Sequence, residues 1–192
     1  MKRILEVYLI SFVQIVSSCY QRAEPETYLI PSNFTGEVNI LFNQNGVPTK
    51  YKNEYGQDTI YTPKIGNPMK YENGRRVYEI PSNGILLTQF KKNDGFIDRQ
   101  YYSIDRDGNR ILLEVFKFEH LKKDSTKYIV KDKSQKGIFG DGTIGSYGNM
   151  NIAFQDFIVS SYTELDSFYT AEYRNDFDSK IEKITGLIFN LK

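Results

Sequence analysis

The chain has 192 residues, of which 25 are basic and 24 acidic, with 15 tyrosines, 13 phenylalanines, one histidine, one cysteine and no tryptophan. So even a charge balance argues against a general nucleic-acid binder, which carries a basic excess or stripe, and against a polybasic membrane-surface protein. One histidine is too few for the zinc-hydrolase motifs, which need two, and a single cysteine leaves no disulfide within the chain.

The N-terminus opens with Lys2 and Arg3, runs through mostly apolar residues from Ile4 to Val16, and ends in Val16-Ser17-Ser18-Cys19. A positive start, a short apolar core and small residues before a cut describe a secretory signal. The core is too short to cross a bilayer, which takes about 20 residues, and Glu6 interrupts it. Val-Ser-Ser-Cys resembles the lipobox of bacterial lipoproteins. That resemblance implies cleavage before Cys19, a thioether diacylglycerol on its sulfur and an amide-linked third chain. One acyl chain holds only marginally at about 0.8 kcal/mol per buried methylene, so more than one is needed. The expected organisation is a signal peptide over 1–18, a polar tether over 19–26 and one β-rich domain over 27–192. Strands fill 27–160 of that domain, and 161–192 form a helix-containing tail. Tyr20, rather than an acidic residue, follows Cys19, which favours the outer membrane over the inner one.

Tyr28-Leu29-Ile30-Pro31-Ser32-Asn33 recurs as Tyr78-Glu79-Ile80-Pro81-Ser82-Asn83. Each copy reads as a strand stopped by proline, which lacks the ladder N–H, followed by turn formers. Glu37–Phe42 and Ile85–Phe90 are strand-like in turn, so the repeat predicts duplicated corners of one sheet system. Asn73-Gly74 between strand formers predicts a hairpin, because both central positions of a type I′ turn need positive φ. A second hairpin is expected between 99–104 and 110–115, turning at Asp107-Gly108-Asn109. Further strands are expected at 127–131 and 151–159. Short, evenly spaced strands with turn signals predict a mainly β, antiparallel sandwich-like domain.

The tail has a different period. Ser161 and Glu164 fit a capping box ahead of Leu165 and Phe168. Phe177, Ile181, Ile184, Ile188 and Leu191 then recur at helical spacing, although Gly186 weakens a helix by about 1 kcal/mol relative to alanine. Ending the helix at Gly186, with a last strand over 187–191, is the alternative.

The pattern Tyr28-x-Ile30-Pro31, Gly74-x-Arg76-Val77-Tyr78-x-Ile80-Pro81-x-x-Gly84-Ile85-Leu86-x-Thr88-Gln89-Phe90, Asn93-Asp94-Gly95 and Tyr101-Tyr102-Ser103-Ile104-Asp105-x-Asp107-Gly108-Asn109-Arg110 resembles a bacterial lipoprotein family known only as a domain of unknown function. The likeness spans roughly 25–160 and rests on turn and strand positions. It implies fold and export, and it brings no catalytic residue with it.

Gly140-Asp141-Gly142-Thr143-Ile144-Gly145 matches G-x-G-x-x-G by letter, but that turn must open a helix, and Gly148 soon after disfavours one. We read the segment as a glycine loop whose Gly140, Gly142 and Gly145 form the mobile rim of a binding cleft. Asp105–Asn109 has its glycine two positions too early for a calcium loop, and Phe116 stands where the bidentate glutamate belongs, so a hairpin turn accounts for it. His120 has no nucleophile elbow near it, and no G-x-S-x-G occurs. Asp94, Asp98 and Glu114 are candidates for paired-carboxylate chemistry, without a reason to prefer them over other acids. Phe96 with Tyr101 or Tyr102 is a candidate stacking face, although alternation puts the two tyrosines on opposite sides of a strand.

The resulting expectation is a lipid-anchored protein of the cell envelope that binds a protein or glycan partner or supports the envelope. No catalytic residue, cofactor, metal or nucleic-acid partner is assigned, and Cys19 is the lipidation site. The alternatives are an envelope hydrolase, marked by a cleft with two carboxyls about 5–10 Å apart, or a protective lipoprotein that blocks a toxin or enzyme.

Overall fold

The strand Glu26–Pro31 ends at Pro31 and the strand Arg75–Glu79 two residues before Pro81, and past each proline the chain leaves one sheet and enters another. The protein, seen as a computed structural model, is described over residues 23–52, 55–121, 125–147 and 152–185. The signal segment, Cys19 and the end of the tail from Gly186 onward lie outside those residues. The strands are β1 (Glu26–Pro31), β2 (Gly36–Leu41), β3 (Thr49–Lys52), β4 (Asp58–Tyr61), β5 (Lys70–Glu72), β6 (Arg75–Glu79), β7 (Ile85–Leu87), β8 (Arg99–Ile104), β9 (Arg110–Leu112), β10 (Glu114–Val115), β11 (Phe118–Leu121), β12 (Ser125–Tyr128), β13 (Gly137–Tyr147) and β14 (Ile152–Ser160). A 3-10 helix (Leu165–Tyr169) and α1 (Ala171–Thr185) complete the described chain.

The first sheet has the order β5-β6-β1-β8-β9 and the second β10-β13-β14-β2-β7. They face each other across a core that includes Ile30, Val38, Ile40, Ile80, Leu86, Ile138 and Val159. The sequence repeat explains part of this topology. Two units that cross between sheets in the same direction must lie parallel, so Tyr28 pairs beside Tyr78 in β1–β6, and Ile40 beside Leu86 in β2–β7. β8 joins the other side of β1, again parallel, with Tyr101 opposite Tyr28. The mainly β sandwich with a helical C-terminal segment is therefore the architecture found. Antiparallel pairing runs through β13, β14 and β2, and parallel pairs mark the repeated corners.

Both hairpins are present. Asn73 (φ 50°) and Gly74 (φ 74°) turn β5 into β6, and Asp105–Asn109 turns β8 into β9. The strand expected over 110–115 divides at Leu113, where the chain passes to the second sheet and β10 pairs with β13.

The glycine loop expected over 137–148 is corrected: Gly137–Tyr147 is an eleven-residue strand with a bulge between Phe139 and Thr143. Its glycines answer close approach rather than flexibility. A Cβ on Gly137 would lie 2.3 Å from the Phe116 ring and 2.7 Å from the Glu114 carbonyl oxygen. Gly140 has φ +70° and makes the bulge. Gly137→Ala is expected to lower stability by about 1–3 kcal/mol through overpacking, read as a drop in the urea midpoint at unchanged slope.

The C-terminal elements cover the outer face of the second sheet. Phe177 and Ile181, one turn apart on α1, pack with Leu41, Ile85 and Ile152. Leu165 and Phe168 close over Phe116, Phe139 and Ile158. Ser161 Oγ donates to Glu164 Oε2 at 3.1 Å, so the predicted capping pair does meet, but it leads only into the short 3-10 helix. The N-cap of α1 is Thr170, whose Oγ1 accepts from Tyr173 N at 3.2 Å.

Candidate functional site

Because β1, β6 and β8 are parallel and in register, three tyrosines from different parts of the chain stack in the core. Tyr28 lies between Tyr78 and Tyr101, with ring centroids 5.0 and 4.6 Å away, close to the spacing between strands. Their hydroxyls converge on two acids, the buried Glu26 and the partly exposed Asp141. Tyr28 donates to Glu26 Oε2 at 2.5 Å, Tyr78 to Glu26 Oε1 at 3.3 Å, and Tyr101 to Asp141. Arg99 Nε reaches Glu26 Oε2 at 3.2 Å, and Arg99 Nη1 lies 3.6 Å from Asp141. Burial first, and then the neighbouring acid, pushes the Tyr28 and Tyr101 phenols well above their ordinary range. Tyr28 Oη is also 3.2 Å from Gln155 Oε1, but a hydroxyl has one proton and Glu26 takes it. Turning the Gln155 amide lets its Nε2, otherwise without a partner, donate to Tyr28 Oη. With Glu26 only 1 % exposed, the cluster is a closed polar core and holds the first sheet to the second.

The open site lies on the other side of the second sheet. A cavity of about 170 Å³ is lined by Glu37, Gly140, Asp156, Tyr169 and Arg174 over a floor of Phe139, Phe157 and Ile158. Register puts the two acids together: Glu37 of β2 stands opposite Ile158, and Asp156 of β14 is two residues along on the same face. Such diagonal neighbours are about 7–8 Å apart. The bulge at Gly140 opens the sheet edge beside them, and the 3-10 helix and α1 bring Tyr169 and Arg174 over the top. The Arg174 guanidinium is 5.6 Å from the Tyr169 ring centre. Tyr173 fixes the helix to the site by accepting from Glu37 N at 3.0 Å.

Burial raises the Glu37 carboxyl from 4.5 to about 7; Asp156 adds to the rise, Arg174 opposes it and Asp178 adds a little more. Between those two pH values the folded protein holds a proton that the unfolded chain releases. Stability therefore falls as pH climbs through the window, and it is flat above pH 7. Allowing for water at this half-buried group, the fall is about 1–2 kcal/mol. Glu37→Gln should abolish it, matching the parent below pH 4.5 and exceeding it above pH 7 in urea titrations. Chemically, the site offers a carboxyl half-protonated near neutrality, a second acid, a guanidinium and an aromatic face. Among the described residues no group of three histidine, cysteine or acidic side chains is placed to hold a metal.

The residues singled out in the sequence are mostly elsewhere. Gly140 lines the cavity, whereas Gly142 and Gly145 continue along β13. Asp94 pairs with Lys92 at 3.5 Å and Asp98 with Arg75 at 2.6 Å, while Glu114 points outward from β10. Tyr101 is buried in the tyrosine stack, Tyr102 is half-buried on the opposite face, and Phe96 is 84 % exposed. Asp105 closes its turn by accepting from the backbone N–H groups of Asp107 and Asn109, both at 2.9 Å. His120 falls in β11, and Cys19 lies outside the described residues. Sequence reasoning missed Glu37 and Asp156. Their one signal was an acid within a mostly apolar strand, and only the strand register brings the two together.

A crystal structure of a "Putative Lipoprotein from Bacillus anthracis" shares the fold with a TM-score of 0.52 at 15% identity, over 87% of this chain and 98% of that one. No curated protein matches the chain. The profile of a family of unknown function, DUF6843, matches residues 57–168. That span includes the Gly74–Phe90 and Tyr101–Arg110 patterns and leaves Tyr28-x-Ile30-Pro31 outside. With more than half of its length matched, the chain belongs to the family of unknown function DUF6843.

Proposed function

We propose that the chain is a lipid-anchored protein of the cell envelope that binds a hydroxyl-rich ligand, a glycan end or sugar-sized group, in the Glu37–Asp156–Arg174 cavity without chemistry of its own. The observation that carries this reading is the mixed character of the cavity. An ionised acid accepts from hydroxyls, protonated Glu37 and Arg174 donate to them, and Tyr169 supplies a face for an apolar ring side. At about 170 Å³ the space is smaller than the usual drug-sized pocket, which suits one small polar group. The anchor reading is supported by the Val16-Ser17-Ser18-Cys19 box and by the lipoprotein description of the neighbour of like fold. Tyr20 after the cysteine leaves transfer to an outer membrane open.

One observation favours the hydrolase reading. A carboxyl raised to about 7 beside a second carboxyl at diagonal register is the arrangement of a general acid and its partner. Soluble glycan fragments, titrated against the parent, Arg174→Ala and Glu37→Gln, separate the two. Binding predicts saturable nuclear magnetic resonance shifts at the cavity, weakened by Arg174→Ala, retained by Glu37→Gln, and an intact ligand. Cleavage of the ligand that Glu37→Gln abolishes would establish the hydrolase instead.

A further inference from the structure

The chain enters the first sheet through a clasp. The Asn93 side chain donates to the Glu24 carbonyl at 2.6 Å, Arg76 grips the Glu24 carboxylate at 2.5 Å, and Glu26 N donates to the Asp98 carbonyl at 2.9 Å. Asn93 and Asp98 belong to the connection between β7 and β8, so residues 91–98 are wrapped around the entering N-terminus. Phe96 stands in that loop with 84 % of its surface exposed. Arg76 Nη1 donates to the Lys91 carbonyl at 2.6 Å, and its guanidinium lies 5.0 Å from the Phe90 ring, against which Tyr71 is half exposed. The opposite end of β8 has no such aromatic: its turn is Asp105-Arg106-Asp107-Gly108-Asn109. The ends of the sandwich thus differ, and the aromatic end is the one from which the tether leaves.

Chain length says what that end meets. From the pinned Glu24 back to Cys19 is five residues, which reach at most about 18 Å even when fully extended. A lipid on Cys19 therefore keeps Glu24, and the loop 91–98 clasped to it through Asn93, within about 18 Å of the bilayer surface. Aromatic side chains are favoured at the level of the headgroups, and exposed apolar groups gain by entering it. The local charges are balanced, with Lys92 against Asp94 and Arg75 against Asp98, so the contact relies on the ring rather than on anionic lipid.

We propose that loop 91–98 is a membrane-contact surface, with bilayer lipid as its partner and Phe96 inserted in the interface beside the anchor. The proposal rests on the reading of Cys19 as lipidated. The chain contains no tryptophan, so Phe96→Trp creates a single reporter, and Arg106→Trp creates one at the far turn. Each lipidated full-length variant is reconstituted into vesicles of phosphatidylethanolamine and phosphatidylglycerol, with and without brominated acyl chains. The expected result is blue-shifted, bromine-quenched emission from Phe96→Trp and unshifted, unquenched emission from Arg106→Trp. Water-exposed emission from both variants, with radiolabelled fatty acid present on Cys19, would overturn the membrane contact while leaving the anchor intact and this face free for a protein or a second copy. Absence of label from Cys19 would remove both.

Discussion

Glu26→Ala is expected to lower the free energy of unfolding by about 3–5 kcal/mol, a large part of the roughly 5–15 kcal/mol that holds a domain together. The loss comes from what the carboxylate leaves behind. Tyr28 and Tyr78 lose the acceptor for their protons, Arg99 keeps only its longer contact with Asp141, and Asn93 keeps only the Glu24 carbonyl. Glu26 and Tyr28 are buried, so water replaces the lost bonds there only by opening the core. Urea denaturation measures the loss, and a double-mutant cycle identifies its source. Tyr28→Phe should cost about 1–3 kcal/mol in the parent and clearly less once Glu26 has become alanine. Equal cost in both backgrounds would mean that the two side chains do not act as one unit.

Phe157→Ala is the second large effect, again about 3–5 kcal/mol. Phe157 is 2 % exposed and meets Tyr28 and Tyr101 edge-on, with ring centroids 5.6 and 5.1 Å away. Its removal takes away the transfer energy of the ring and leaves a void that stacked, hydrogen-bonded tyrosines cannot collapse to fill. Phe157→Leu keeps most of the volume and should lose less. Thermal melts of the two variants test this ordering.

Local signals in the sequence carried far. Asn73-Gly74 specifies its hairpin because the turn's φ values exclude most other residues, and the Tyr-x-Ile-Pro repeat specifies two corners because proline ends each strand. Pairing between distant strands could not be read. Nothing local indicates that the repeats lie parallel, so neither the tyrosine stack nor the meeting of Glu37 with Asp156 was visible. Glu26 lies in the polar tether expected over 19–26, yet it opens β1 and is buried, because Tyr28, Tyr78, Arg99 and Asn93 bond to its carboxylate. β13 was hidden by its glycines, which signal flexibility in composition and tight packing in the structure. β3 and β4, with exposed lysines and one buried ring between them, lack the apolar alternation that would announce a strand.

The proposed place of the protein, and the reach of loop 91–98 to lipid, depend on a covalent bond at one sulfur. Growth of producing cells with radiolabelled fatty acid, then membrane fractionation and N-terminal analysis, tests it most directly for the parent and for Cys19→Ser. The account predicts a labelled, membrane-bound parent that begins at Cys19, and an unlabelled Cys19→Ser variant. A parent that stays soluble, takes up no label and keeps Met1 would contradict it.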